Sequence, residues 1–349
     1  MLSRVADNLY WMARYLERTE NLARLVDVSA SLMLDLPQRL SPGWQPLVTI
    51  SGSEQLYAES GARDYAERSV VRFTVADERN PGSMRSSIAR AREIARTVRD
   101  ILPREVWEQI NELYLYVGEH AAEAAAKRTR YAFLGHVTAC TQRLTGMFEG
   151  LLNEGDALSF VSLGRNLERA DMTSRIVDVR AAAMMAGPTA EALRPFESVL
   201  WMNVLRSLSG DHMYRLKTRE RVHGAGVVRF LLADEQFPRA CVCCLRRAEE
   251  VLHRLRQSEP LLRRVMRMRR AVLHTQFESL EQRELHEFID RLQLSLARTS
   301  DELARIYFIR HSTPGADQAQ SQTQRAARGL LPDEAGLASV TAGKIRIST

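Results

Sequence analysis

At 349 residues, 45% hydrophobic and 26% charged, the chain has the composition of a folded protein with one large core or two small ones, which excludes a disordered chain. No apolar run approaches the ~18 residues of a membrane span, and Asp7, Arg14 and Glu17 interrupt any signal-peptide core, so a cytoplasmic location is expected. The formal charge is +6, and only Lys127, Lys217 and Lys344 of the 49 basic residues are lysine; arginine suits bidentate pairing with carboxylate or phosphate, but the sign alone names no partner.

Residues 3–34 read as one long helix, apolar over most of its circumference and therefore buried among other helices. At about 100° per residue, Arg14, Glu17, Arg18, Asn21 and Arg24 fall within an arc of roughly 120°, opposite Val5, Leu9, Met12, Leu16, Ala23 and Val26. The helix stops before Pro37, and a loop rich in Pro and Gly leads to Trp44. In Val70–Pro81, VVRFTVADERNP, the β-branched residues favour a strand, but polar and apolar positions do not alternate, and a short helix is the reading taken. Asn80 is the expected N-cap of the next helix, SMRSSIARAREIARTVRDIL, with Pro81 suited to its first turn. Pro103 and Glu105 open a helix through Trp107, Ile110, Leu113 and Val117 to about Ala126, and Tyr131–Leu152 forms another.

Past the NEGD turn at Asn153–Asp156 the chain repeats itself. RYLERTENLARLVDV at Arg14–Val28 returns as RNLERADMTSRIVDV at Arg165–Val179, with eight of fifteen positions identical at an offset of 151. VVRFTVADERNP returns as VVRFLLADEQFP at Val227–Pro238, eight of twelve identical at an offset of 157, an offset that Trp44/Trp201 and Tyr57/Tyr214 share. Blocks repeated in one order imply a tandem duplication, with repeats at about 1–155 and 156–311 and the six-residue difference in offset absorbed by a loop. Helices are expected over Thr189–Leu208, after Pro238 in RACVCCLRRAEEVLHRLR, and over Leu261–Phe277 and Leu280–Arg310. Residues 312–349 are polar, small and aperiodic, and are expected to be a disordered tail. The fold class is all-α: a multi-helix bundle of roughly a dozen helices, built from a duplicated unit of about 155 residues.

No catalytic motif is present: there is no G-x-S-x-G, H-E-x-x-H, Walker or dinucleotide-binding glycine pattern, and the eight histidines are scattered. Cys140 stands alone, and Cys241, Cys243 and Cys244 on one helix cannot converge on a metal, so buried reduced thiols are expected. No cofactor, metal or catalytic residue is nominated. The candidates for a ligand or interface site are Arg14, Glu17, Arg18, Asn21, Arg24, Arg165, Glu168, Arg169 and Arg175. They serve either as structural ion pairs or as a site in which arginines converge on an anion while Glu17 and Glu168 orient them or bind an amine. Those two glutamates lack the Glu-x-x-His companions of a di-iron bundle. A second stripe, Arg263, Arg267 and Arg270 with Arg264 at its margin, reads as a solvated face or a partner surface; without stacking aromatics or a recognition helix it is not expected to bind nucleic acid.

The blocks LSRVADNLYWMARYLERTENLARLVDV, VVRFTVADERNP, AREIARTVRD and WEQINELY, together with the FP-containing second copy, resemble the alpha-E family over about residues 1–311. That family comprises bacterial all-helical proteins named for a Glu-Arg motif, which by position falls on Glu17-Arg18 and, through the repeat, on Glu168-Arg169. Arg246-Arg247 departs from the motif and makes no third site. The resemblance implies partnership with a circularly permuted ATP-grasp protein and association with a transglutaminase-like one. The expected function is therefore that of an auxiliary or substrate-binding subunit of an ATP-grasp amide or peptide ligase system, with a peptide or amino-acid ligand. Two alternatives stand beside it: an enzyme acting on a peptide or amide through Glu17 and Glu168, and a helical nucleic-acid binder using the Arg263 stripe. An open pocket over Glu17 and Glu168 marks the enzyme, dry ion pairs mark a scaffold, and affinity that falls steeply with salt marks a nucleic-acid binder.

Overall fold

The computed structural model describes residues 3–37, 43–62, 64–185, 194–219 and 221–308, which contain fourteen α-helices and no strand. They fall into two runs of seven. The first comprises α1 (Ser3–Asp35), α2 (Gln45–Ser51), α3 (Glu54–Glu59), α4 (Glu67–Val75), α5 (Met84–Thr97), α6 (Arg104–His120) and α7 (Lys127–Leu151). The second comprises α8 (Asp156–Met185), α9 (Glu197–Ser207), α10 (Asp211–Lys217), α11 (Gly224–Ala233), α12 (Cys241–Leu252), α13 (Glu259–His274) and α14 (Gln282–Tyr307).

Both VVRF segments are helical, in α4 and α11, because each buries its valines and phenylalanine on one helical face. Asn80 does not cap α5. Its side chain accepts from the Gly82 amide at 2.9 Å and donates to the Phe73 carbonyl at 3.1 Å, so it and Pro81 belong to the turn, and Ser83 caps the helix by accepting from the Ser86 amide. Helix α6 ends at His120, short of Ala126, where a 3-10 turn over Ala121–Ala125 takes its place, and α7 starts four residues before Tyr131. Helix α9 begins at Glu197 after a short turn; the expected start at Thr189 lies outside the described residues, as does the expected tail over 312–349. Pro260 sits in the first turn of α13, which ends before Phe277.

Helices α1 and α8 form the axis of the molecule and make their most extensive contact with each other. They run parallel, since Arg180 meets Ser29 and Arg169 meets Glu17 at nearly one offset. Gly164 permits their approach: a Cβ there would lie 2.3 Å from the Tyr10 carbonyl oxygen and 3.2 Å from the Ala13 methyl. Around this pair, α5 and α7 pack on α1, and α12 and α14 on α8. Helix α9 also crosses to α1, and α2 to α8, so each central helix is enclosed partly by the other run. One large apolar cluster extends from Ala6 to Phe308, and a small second one gathers Leu32, Leu36 and Leu200.

Candidate functional site

The central helices are apolar except along the stripe of Glu-Arg residues, so charge is carried into the core. Among the described residues Arg14, Glu17, Glu20, Asn21, Arg165, Glu168 and Arg169 are all buried. Each Glu-Arg pair reaches across to the other: Arg18 binds Glu168 through Nε at 2.7 Å, and Arg169 Nε lies 2.9 Å from Glu17. The nine nominated residues therefore form two charged centres, not one.

The Glu17 centre is closed. Arg239, at the entry to α12, inserts its guanidinium and donates to Glu17 at 2.7 Å, to Asn21 at 2.8 Å and to Glu20 at 2.7 Å. Glu20 also accepts from Arg24. Burial alone would raise the Glu17 pKa, but Arg169 and Arg239 outweigh it and hold the carboxylate below its ordinary range. Arg165 turns away to Glu149 at 2.7 Å, and its Nε and Nη1 have no hydrogen-bond partner; burial, then the neighbouring Arg169, lowers its pKa. The space left among Glu17, Glu20, Thr145 and Arg165 is about 20 Å³, too small for a ligand.

The Glu168 centre is open. Arg14 donates to Glu168 at 2.6 Å and reaches Tyr10 and Ser300 with its other end, each at 3.2 Å. Against the upward pull of burial, Arg18 and Arg14 bring the Glu168 pKa down to about 2. Arg175 pairs with Asp171 at 3.1 Å. Beside these ion pairs lies a cavity of about 500 Å³ walled by α1, α2, α5, α8 and α14, a volume in the range of small-molecule sites. Position 82 on its wall is glycine, where the matching turn of the second run carries Arg239.

The cavity has two differing ends. Near α5, Trp11, Tyr15, Arg18 and Arg90 line it, with both guanidiniums over the Tyr15 ring at 5.7 and 5.8 Å from its centroid. Toward the C-terminal part of α8 lie Asp178, His286 and Asp290. His286 Nδ1 is 2.8 Å from Asp178 and Nε2 is 3.5 Å from Asp290. The hydrogen bond to Asp178 raises the His286 pKa, while burial raises that of Asp178 despite the imidazole. These three residues offer ligand atoms within 4.8 Å of one another and are the metal-competent group among the described residues. Both ring nitrogens face a carboxylate, which favours the protonated imidazole; a divalent cation would compete with that proton.

The residues read from the sequence are thus divided. Arg14, Arg18, Glu168 and Arg175 line the open cavity, whereas Glu17, Asn21, Arg24, Arg165 and Arg169 belong to the closed centre. Arg263, Arg267 and Arg270 stand exposed on α13, away from both. The sequence reading missed Arg239, Arg90, Asp171 and the Asp178–His286–Asp290 group. Arg239 was legible as the position aligned with Gly82 in the repeated block; the others come from helices brought together only by the fold. The four cysteines are buried and free, and burial pushes the Cys244 thiol up to about 12, which leaves it inert.

No helix among the described residues is long and apolar enough to cross a membrane. No solved structure matches the chain. Uncharacterized proteins of Mycobacterium bovis and Mycobacterium tuberculosis are each 24% identical to it over 262 residues, covering 70% of this chain and 29% of theirs, so the chain spans less than a third of these relatives. Glu17-Arg18 and Glu168-Arg169 are each the other's counter-ion, and the model of the Alpha-E family, a predicted alpha-helical domain with a conserved ER motif, matches residues 1–308; the chain belongs to that family.

Proposed function

We propose that the chain is an auxiliary, ligand-binding subunit of a cytoplasmic ATP-grasp amide or peptide ligase system, built as a tandem duplicate in which one Glu-Arg centre is structural and the other is the binding site. The observation that carries this reading is the inequality of the two centres: one is filled by Arg239 and the other opens on a cavity of about 500 Å³. A scaffold accounts for the buried ion pairs but has no need of the cavity beside them. The cavity walls carry charges of both signs, which suits a peptide or amino-acid ligand. No nucleophile with an adjacent base lies on the wall, so the chain binds and presents while the partner carries out chemistry. The exposed stripe of Arg263, Arg267 and Arg270 is the surface at which an acidic face of that partner docks.

The test is co-purification with the ATP-grasp protein that the family resemblance places beside this chain, using wild type and Gly82→Arg. Both should form the complex, and peptide-dependent ATP turnover should fall only with the cavity-filling variant. Failure of the wild type to associate overturns the subunit reading.

A further inference from the structure

Among the arginines on the cavity wall, Arg14 and Arg18 are spent on Glu168 and Arg175 on Asp171. Arg90 differs. It is half-buried and, among the described residues, it forms no ion pair and makes one hydrogen bond, of 3.2 Å from Nη1 to the Tyr15 hydroxyl, with the ring of Tyr15 beneath it. A half-buried guanidinium without a counter-ion carries an uncompensated desolvation cost, which an incoming anion removes. Arg18 lies over the same ring, so two guanidiniums flank one point of the cavity. Planar forks of this kind fit a carboxylate. The nearby carboxylates Glu168 and Asp171 disfavour a dianion such as phosphate more than a monoanion.

The other end carries the opposite charge, since two carboxylates, Asp178 and Asp290, face the one imidazole of His286 and exceed it even when it is protonated. Asp178 and Asp290 lie beyond Asp171 along α8 and α14. From Glu168, which Arg18 binds, to Asp178 is ten helical residues, or roughly 15 Å at the helical rise. The α-amino and α-carboxyl groups of one amino acid cannot span that distance, but about four or five extended residues do. Taking the cavity as the ligand site proposed above, we infer that it binds the C-terminal segment of a peptide, with the terminal carboxylate on Arg90, beside the Arg18–Glu168 pair, and a cationic side chain about four residues upstream on Asp178 and Asp290.

The experiment is affinity selection from a library of N-acetylated pentapeptides, prepared both as free acids and as C-terminal amides, on wild type, Arg90→Gln and Gly82→Arg. Gly82 has no positive φ, and its added Cβ would press on Asn80 Oδ1 at 3.3 Å, which must yield by a few tenths of an ångström, and touch Ser53 at 3.8 Å. Melting temperatures verify that both variants fold. Wild type should retain free acids over amides by about tenfold, the worth of a charge-assisted hydrogen-bond pair, with Lys or Arg enriched at the N-terminal position. Arg90→Gln should erase the preference for acids, and Gly82→Arg should erase retention altogether. Equal retention of acids and amides, still blocked by Gly82→Arg, overturns the carboxylate inference and leaves the cavity as a ligand site. Retention that Gly82→Arg does not change, or none by wild type, overturns both.

Discussion

The centres around Glu17 and Glu168 begin from the same residues and end differently. In each, a buried glutamate on a central helix is neutralised by the Glu-Arg arginine of the other helix, Arg169 in one case and Arg18 in the other. The second cation differs. Glu168 takes Arg14 from α1, whereas the residue matching Arg14, Arg165, is turned out to Glu149, and Arg239 fills its role at Glu17. Each pair of acidic groups, Glu17 with Glu20 and Glu168 with Asp171, is therefore met by three arginines. Charge balance is thus equal and only occupancy of space differs. Gly82 stands on the wall of a cavity of about 500 Å³, whereas Arg239 inserts against Glu17 and about 20 Å³ remains among Glu17, Glu20, Thr145 and Arg165. Buried charge here is a structural constant, and the two centres differ in the space left beside it.

Arg239→Ala breaks the comparison most severely, since it opens the closed centre and leaves Glu17, Glu20 and Asn21 with unmade hydrogen bonds. A loss of about 4–5 kcal/mol is expected, the upper part of the range for removing one partner of a buried ion pair, measured by denaturant unfolding. Glu168→Gln strands Arg14 and the partly exposed Arg18, and should cost about 3–4 kcal/mol in the same assay.

Acid sharpens the comparison further. The Glu168 carboxyl titrates at about 2 in the fold against an ordinary 4.5, so its contribution is complete above the ordinary value and is lost as pH falls toward 2. At most about 3 kcal/mol disappears in that window from this group, and Glu17, shifted in the same direction, adds to the loss. Melting temperatures from pH 6 to pH 2 should fall steeply for wild type and less for Glu168→Gln. The smallest effect on stability belongs to Gly82→Arg, which makes the two centres alike: within about 1 kcal/mol of wild type, because cavity filling and new ion pairing offset guanidinium desolvation. Its melting curve should overlay that of wild type while ligand retention is lost.

The helical class was legible because apolar periodicity in residues 3–34 and in the copied blocks is a local property of the chain. Helix ends were less so: Asn80 and Pro81 carry the signals of a helix start, yet Asn80 is drawn into the turn by the Phe73 carbonyl, a contact seven residues back. The Glu-Arg stripe was legible as charge on an apolar helix, but the assignment of its members to two centres was not. Arg165 and Arg14 occupy matching places in the repeated block and take different partners because Glu149 lies beside one of them and Ser300 beside the other.

By itself the sequence determined that two long helices bury glutamate beside arginine, since a charge on a helix apolar around most of its girth has nowhere else to go and must bring its counter-ion with it. Only the tertiary structure decided which counter-ion each takes and where space remains. Both depend on α5, α12 and α14 arriving at the axis from distant parts of the chain, one with Gly82 and Arg90, one with Arg239 and one with His286 and Asp290.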